Sequence, residues 1–132
     1  MVTVTVEQRA NLAKLAAYLE ENASTLNFDM QDYMLNPVTN SPLKLHERHP
    51  CGSVGCAIGH GPAAGIPILN NQEDWDDYAN DSFGSDVKLW DGLFNHSWAY
   101  INNTPLGAAN RIRKFLNTGF LGHPRTFEGS ES

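Results

Sequence analysis

The feature that most constrains the fold is a helix whose two ends can both be recognised in the C-terminal third of the chain. Asn103-Thr-Pro105 supplies a capping side chain and a proline at the first helical position. Gly119 can end the helix in a left-handed conformation. Between these ends, apolar residues recur at helical spacing: Ala108, Ala109, Ile112, Phe115 and Leu116. The sequence therefore predicts a helix with one buried side, in which Pro105 and Ile112 have structural roles.

Three basic residues, Arg111, Arg113 and Lys114, lie near the end of this predicted helix. Positive charge is favourable near the C-terminus of a helix, so we interpret them as helix-end charges rather than as a nucleic-acid patch. The net charge of the chain is −6, which also argues against a general affinity for nucleic acid or for anionic membranes. We therefore expect no direct binding of nucleic acid.

A second capped helix is predicted near the N-terminus. Thr5-Val-Glu-Gln8 has the spacing of a capping box, and the predicted helix has an apolar stripe: Val6, Leu12, Leu15, Ala16 and Leu19. Residues 2–6 alternate and are compatible with a short N-terminal strand. Two shorter helices are predicted at residues 71–80 and 86–95, the second capped by Ser85. The expected fold class is mainly α, a compact single-domain helical fold with long ordered loops.

The length of 132 residues fits one domain. We expect a single helical domain over residues 1–126 and a mobile tail over residues 127–132. No stretch approaches the ~20 apolar residues of a membrane span, so no membrane association is expected. The first residues lack the features of a secretory signal, and two cysteines suit a reducing compartment. These features predict a cytoplasmic protein.

Five potential metal ligands lie within fifteen residues: His46, His49, Cys51, Cys56 and His60. Thiolates and imidazoles at this density are typical of zinc sites. The spacing does not match a common structural site, because four residues separate the cysteines and no second cysteine pair is present. The alternative is that the cysteines are small buried residues beside a helix capped by Ser53. We favour this structural reading and expect no cofactor.

A catalytic interpretation of the same segment makes Cys56 a nucleophile. A thiol near a helix N-terminus is activated by the dipole, and His60 would lie one turn further on, within reach as a base. No third orienting residue and no oxyanion donor can be assigned. A Cys/His-dependent or zinc-dependent hydrolase is therefore the alternative function rather than the expected one.

The middle of the chain is strongly acidic. Residues 61–100 carry one Lys against seven Asp and Glu, and five of these acids form one segment: Glu73, Asp74, Asp76, Asp77 and Asp81. Their spacing does not fit a calcium-binding loop, because Ala79 and Ser85 stand where such a loop needs Gly and Glu. The segment is either a solvated helix face or a surface that docks on a basic partner. It is our candidate for a partner-binding site.

Three segments resemble those of a loose family of small phage, prophage and bacterial proteins. They are Cys51-Gly-Ser-Val-Gly-Cys-Ala-Ile-Gly-His60, the stretch from Trp90 to Trp98, and Asn103-Thr-Pro with Ala108-Ala-Asn-Arg-Ile112. In such relatives Trp can stand at the position of His60, an exchange that suits a packing residue and not a metal ligand. The resemblance favours structural roles for Cys51 and Cys56 and implies no catalytic residue. We also assign structural roles to Trp90 and Trp98.

The resemblance implies a protein of phage or prophage type, and with the acidic charge it predicts a non-catalytic accessory protein that would act in the host cytoplasm on a host or phage protein. An acidic inhibitor of a host defence protein or of a nucleic-acid-handling protein fits the size and charge of the chain. A virion component is a further alternative.

Overall fold

The computed structural model of the chain describes residues 2–47 and 53–122. In these residues it contains four α-helices, one 3-10 helix and a two-stranded sheet, and helices account for 44% of them. The elements in chain order are α1 (Val6–Glu21), β1 (Met34–Leu35), β2 (Val54–Gly55), α2 (Trp75–Phe83), α3 (Val87–Leu93), a 3-10 helix (His96–Tyr100) and α4 (Pro105–Thr118). Helices are the main regular structure, although loops and turns are as abundant. The predicted mobile tail, residues 127–132, lies outside the described residues.

The first helix, α1, begins at the predicted capping box. The Gln8 amide donates to the Thr5 hydroxyl at 3.0 Å, and the Thr5 amide donates to the Gln8 side chain at 2.9 Å. Two of the amides that a helix start leaves unpaired are thereby satisfied. Four residues of the predicted apolar stripe are buried: Leu12, Leu15, Ala16 and Leu19. The prediction is wrong for Val6, which is exposed at the first position of the helix.

The last helix, α4, also has its predicted ends. Thr104 is the N-cap and accepts from the Gly107 amide at 3.0 Å, Pro105 is the first helical residue, and Gly119 has a φ of 76°. The basic residues are not in the last turn of α4. The interpretation of Arg111, Arg113 and Lys114 as helix-end charges is therefore wrong. The surroundings of Arg111 are described below.

The two capped helices pack against each other, and α2 packs against α1. The pairing of α1 with α4 is reinforced at the surface, where Arg113 forms an ion pair with Glu20 at 2.8 Å. The Arg9 guanidinium also donates to the Leu116 carbonyl oxygen. Asn11 connects α1 to α2 by donating to the Ser82 carbonyl oxygen at 3.0 Å.

The two shorter helices are close to their predicted positions, but the expected cap of α3 is wrong. Asp86, not Ser85, is the N-cap, and its carboxylate accepts from the Lys88 amide at 2.8 Å. A carboxylate at a helix N-terminus interacts favourably with the helix dipole in addition to accepting this hydrogen bond. No helix in the described ranges has the length and the hydropathy that a membrane crossing requires.

The predicted helix after Ser53 is not formed. Val54 and Gly55 make a short strand that pairs with β1 in antiparallel register, with Met34 opposite Gly55, and residues 57–65 form successive turns. The physical reason is a close backbone approach: a Cβ atom on Gly55 would lie 2.4 Å from the Tyr33 carbonyl oxygen, and one on Gly59 would lie 1.6 Å from it. Ser53 is buried but caps no helix.

Residues 2–5 form no strand, in contrast to the expectation. Alternation gives a segment the side-chain pattern of a strand, but a strand also needs a partner for its backbone. Here Val2 and Val4 pack against the core, and the chain then enters the capping box at Thr5 directly.

Aromatic side chains of α2 fix the long loops to the core. The Trp75 indole N–H donates to the Leu43 carbonyl oxygen at 2.9 Å, and the Tyr78 hydroxyl donates to the Ile66 carbonyl oxygen at 2.7 Å. Both side chains are buried, and each satisfies a carbonyl group from a loop. These bonds order residues that lie outside the helices.

Candidate functional site

The predicted nucleophile, Cys56, lies in the core with 3% of its surface exposed. Burial raises the pKa of its thiol to about 11, so the thiolate needed for attack is scarce at neutral pH. Cys56 also follows β2 and does not begin a helix, which removes the helix dipole that was expected to activate it. These features favour a packing role for Cys56.

The predicted base, His60, is also buried, with 5% of its surface exposed. Its Nε2 lies 2.8 Å from the Asn27 carbonyl oxygen. Because a carbonyl oxygen can only accept, Nε2 carries the proton and donates it. Burial lowers the pKa of His60, so the neutral ring is favoured. His60 therefore tethers the Asn27 loop, and its ring stacks near Phe28.

The candidate metal ligands are not assembled among the described residues. His46 is exposed and its ring contacts the Gln72 carbonyl oxygen. No group of three His, Cys, Asp or Glu side chains within residues 2–47 and 53–122 is arranged to hold a metal ion. His49 and Cys51 lie outside the described residues.

The acidic face, defined as Glu73, Asp74, Asp76, Asp77 and Asp81, lies at the start and along the outer side of α2. Two of its carboxylates form the start of the helix. Asp74 is the N-cap and accepts from the Asp77 amide at 2.9 Å, while Asp77 accepts from the Glu73 amide at 2.9 Å. Part of the negative charge therefore stabilises α2, a role that the sequence analysis missed although Asp74-x-x-Asp77 has capping-box spacing.

Two further carboxylates of the acidic face accept hydrogen bonds from elsewhere in the fold. Asp76 accepts from the Tyr33 hydroxyl at 2.5 Å, and the pKa of Tyr33 is raised, first by burial and then by this carboxylate. Asp81 accepts from the Gln72 side chain at 3.3 Å. The Glu73 side chain makes no hydrogen bond to the described residues. None of the five acids forms an ion pair within the described part of the chain.

A second charged region was not expected from the sequence. A cavity of about 150 Å³ lies beside α4, and Arg111 lines it together with Trp98, Lys114 and Phe120. The Arg111 guanidinium carbon lies 4.3 Å from the centre of the Trp98 ring, and the Lys114 ammonium lies 4.4 Å from the centre of the Phe120 ring. Two cations, each held over an aromatic ring, therefore share one cavity.

The Arg111 guanidinium lacks the partners that a buried charge normally has. Its Nε and Nη2 atoms are buried and have no hydrogen-bond partner among residues 2–47 and 53–122. Burial lowers the pKa of Arg111 to about 10, so the group is still charged at neutral pH. A buried charge without a partner is unfavourable, and native proteins contain few such groups.

The spacing of Arg111 along α4 is a sequence signal for this site, which a count of charged residues does not reveal. Arg111 stands four residues after Gly107 and four before Phe115, and both neighbours are buried. Residues at this spacing share one side of a helix. Arg111 is thus a basic residue on a buried stripe, whereas Arg113 forms its ion pair at the surface.

The remaining residues with expected structural roles lie in or beside the core. Pro105 and Trp98 are buried, and Ile112 has no exposed surface. The Trp98 indole N–H donates to the Asp91 carbonyl oxygen at 2.9 Å, which joins the 3-10 helix to α3. Trp90 is half-buried and lies edge-on to the Tyr33 ring.

Comparisons of the chain with models of protein families, with curated proteins and with solved structures found no match. The two charged regions are the features of the fold from which a function can be inferred.

Proposed function

We propose that this chain is a non-catalytic accessory protein of phage or prophage type that binds a host or phage protein through its acidic face. The observation that carries the proposal is that five carboxylates lie together without an ion pair in the described residues. Four of them are exposed: Glu73, Asp74, Asp76 and Asp81. A basic partner would supply the missing counter-charges. It would also be attracted electrostatically at distances short enough to escape screening by salt.

The fixed conformations of several of these carboxylates support binding to a structured partner. Hydrogen bonds hold Asp74, Asp76 and Asp77 in fixed directions before any partner arrives. Side chains that are already ordered lose less conformational entropy on association. A host defence protein or a nucleic-acid-handling protein with a basic surface is the kind of partner that fits this charge.

The competing catalytic function has less support. A hydrolase would need an accessible Cys56 thiolate and a His60 ring that can accept a proton. Cys56 is buried with a raised pKa, and His60 already donates to Asn27 from a buried position. A virion component remains the alternative among non-catalytic functions.

The test uses substitutions that remove charge and keep the hydrogen bonds of the fold. Glu73→Gln with Asp76→Asn changes the net charge by +2, and the amide oxygen introduced by Asp76→Asn can still accept from the Tyr33 hydroxyl. Glu21→Lys also changes the net charge by +2 at an exposed position at the end of α1, so it is the matched control. Each variant is immobilised and compared with the unsubstituted chain for capture of proteins from a bacterial lysate at low and at high salt.

We expect at least one captured protein to be lost with the double variant, retained with Glu21→Lys, and weakened as salt rises. Equal capture by the double variant and by Glu21→Lys, with both variants folded, would contradict the proposal. Loss of capture that is insensitive to salt would contradict the electrostatic part of it. Recovery of the chain in purified virions would favour the virion alternative.

A further inference from the structure

The cavity beside α4 differs from the acidic face because it contains a partly buried charge with donors that are unpaired within the described part of the chain. Nε and Nη2 of Arg111 have no partner among the described residues, and the guanidinium lies against the Trp98 ring. The aromatic ring offers a favourable surface for the cation, but it accepts no conventional hydrogen bond from the in-plane N–H groups. The guanidinium is held in place while donors remain unused.

The space beside Arg111 is larger than a hydration site requires. A water molecule needs roughly 10–15 Å³ of cavity volume, whereas this cavity has about 150 Å³. Two glycines lie in its wall, and a side chain on either would collide with a neighbour. A Cβ atom on Gly107 would lie 2.4 Å from the Asn102 side chain, and one on Gly92 would lie 2.8 Å from the Leu121 side chain.

The lining of the cavity indicates the chemistry of its ligand. Arg111 and Lys114 contribute positive charge, Asn102 and Asn110 contribute amide groups, and Trp98 and Phe120 contribute aromatic surface. Lys114, Asn110 and Phe120 are exposed, so this part of the lining forms a rim at the protein surface. Guanidinium groups bind carboxylate and phosphate oxygens through paired hydrogen bonds, and the aromatic walls suit an apolar group attached to such an anion.

We propose that the Arg111 cavity is a binding site for a small organic oxyanion, a carboxylate or a phosphate attached to a short apolar group. The anion pairs with the Arg111 guanidinium, Lys114 adds charge at the rim, and the apolar group lies between Trp98 and Phe120. This site is separate from the acidic face, and its test does not depend on the proposed protein partner.

The experiment compares three probes of similar size in calorimetric titrations of the full chain. Phenyl phosphate and benzoate carry the two kinds of anion on the same ring, and benzamide is the neutral control. We expect at least one anion to bind about tenfold or more tightly than benzamide, because only the anions satisfy the guanidinium charge. The anion that binds more tightly shows whether the site prefers a phosphate or a carboxylate. Equal binding of all three probes, or no binding by either anion, would overturn the proposal.

Two variants assign the effect to Arg111. Arg111→Met removes the charge with a side chain of similar length, and Arg113→Met removes a charge two residues away that belongs to the surface ion pair. The preference for anions is expected to disappear in Arg111→Met and to persist in Arg113→Met. If Arg111→Met retains the preference, the site is elsewhere and the proposal is wrong.

A spectroscopic readout locates the ligand independently of affinity and of any Arg111 variant. The signal of the Trp98 indole N–H, assigned by its loss in Trp98→Phe, is followed during the titration with the tighter anion. We expect it to shift in proportion to occupancy, because Trp98 lines the cavity and lies against Arg111. A Trp98 signal that stays unchanged at saturation would contradict binding in this cavity, even if Arg111→Met does not fold.

Discussion

The acidic face carries five carboxylates at the surface of α2, whereas the Arg111 cavity is lined by one half-buried guanidinium of α4. The carboxylates dominate the composition of their segment, yet most of them accept hydrogen bonds within the protein. The guanidinium is one of nine basic residues in the chain, yet two of its nitrogens have no partner among the described residues. Charge density and unsatisfied charge therefore lie in different regions of this molecule.

The difference affects how each region is expected to bind. Exposed charges on the acidic face are solvated, so they mainly raise the rate at which a partner associates. Salt weakens this increase in association rate. Arg111 is half-buried, and two of its nitrogens are shielded from water and have no partner among the described residues. An anion that pairs with this guanidinium therefore does so in a region of lower dielectric than bulk water. The first region suits a protein surface, and the second suits a small ligand.

The largest expected effect is a loss of stability when a buried residue of α4, the helix that carries Arg111, is truncated. Ile112 has no exposed surface, so Ile112→Ala should lower the free energy of unfolding by about 2–5 kcal/mol through lost burial and a cavity. Leu106→Ala, at a half-exposed position on the same helix, should cost under about 1 kcal/mol. Urea denaturation measures both, and a loss below about half a kcal/mol at Ile112 would contradict the described core.

A second prediction contrasts Arg111 with a buried group that the fold keeps neutral. The pKa of His60 is lowered by burial from its ordinary value of 6.5. Below about pH 6.5 the unfolded chain takes up a proton at His60 and the folded chain does not, so stability should fall as the pH falls. The loss from this one group is at most about 1.4 kcal/mol per pH unit.

The His60 contribution is isolated by a variant that keeps the bond to Asn27. His60→Gln retains an N–H donor and cannot titrate, so its unfolding free energy should decrease less steeply than that of the unsubstituted chain between pH 7.5 and about 5.5. His96→Gln, at an exposed position, serves as the control and should retain the steeper decrease. Identical slopes for the unsubstituted chain and His60→Gln would show that His60 does not have a lowered pKa.

A third prediction tests whether the acidic face stabilises the fold. Asp74→Ala removes the N-cap of α2 and should cost about 0.5–2 kcal/mol. Glu73→Ala removes an adjacent charge whose side chain makes no hydrogen bond to the described residues, and it should change stability by less than about 0.5 kcal/mol. Thermal and urea denaturation compare the two. Equal effects would mean that the carboxylates act only through their summed charge.

The parts of the fold that were predicted correctly depend on local signals. The starts of α1 and α4 are encoded by residues three positions apart, Thr5 with Gln8 and Thr104 with Gly107, so the sequence alone is sufficient to identify them. The helix predicted after Ser53 fails for a non-local reason, since Gly55 and Gly59 are needed where the backbone meets Tyr33. Tyr33 is distant from both glycines in the sequence, so the sequence alone could not identify the segment that approaches them.

The candidate sites also combine local features, which the sequence shows, with non-local contacts, which it does not. The acidic segment is visible in the composition, although the hydrogen bond from Tyr33 to Asp76 joins residues 43 positions apart and could not be foreseen. Arg111 was assigned to the helix end because its neighbours Arg113 and Lys114 are also basic. Its spacing from Gly107 and Phe115 places it on the buried side of α4, but its contact with Trp98 could not be foreseen from the sequence.

The central claim is that Arg111 binds a ligand and does not stabilise the fold. The most direct measurement is the free energy of unfolding of Arg111→Met and of the unsubstituted chain, in buffer without phosphate or carboxylate ions. Replacing an unpaired buried charge by an apolar side chain is expected to be neutral or stabilising, although the contact of Arg111 with Trp98 offsets part of the gain. We predict a change within about 1 kcal/mol, or an increase in stability. A decrease of more than about 2 kcal/mol would mean that the guanidinium is satisfied within the folded chain, and it would contradict the account.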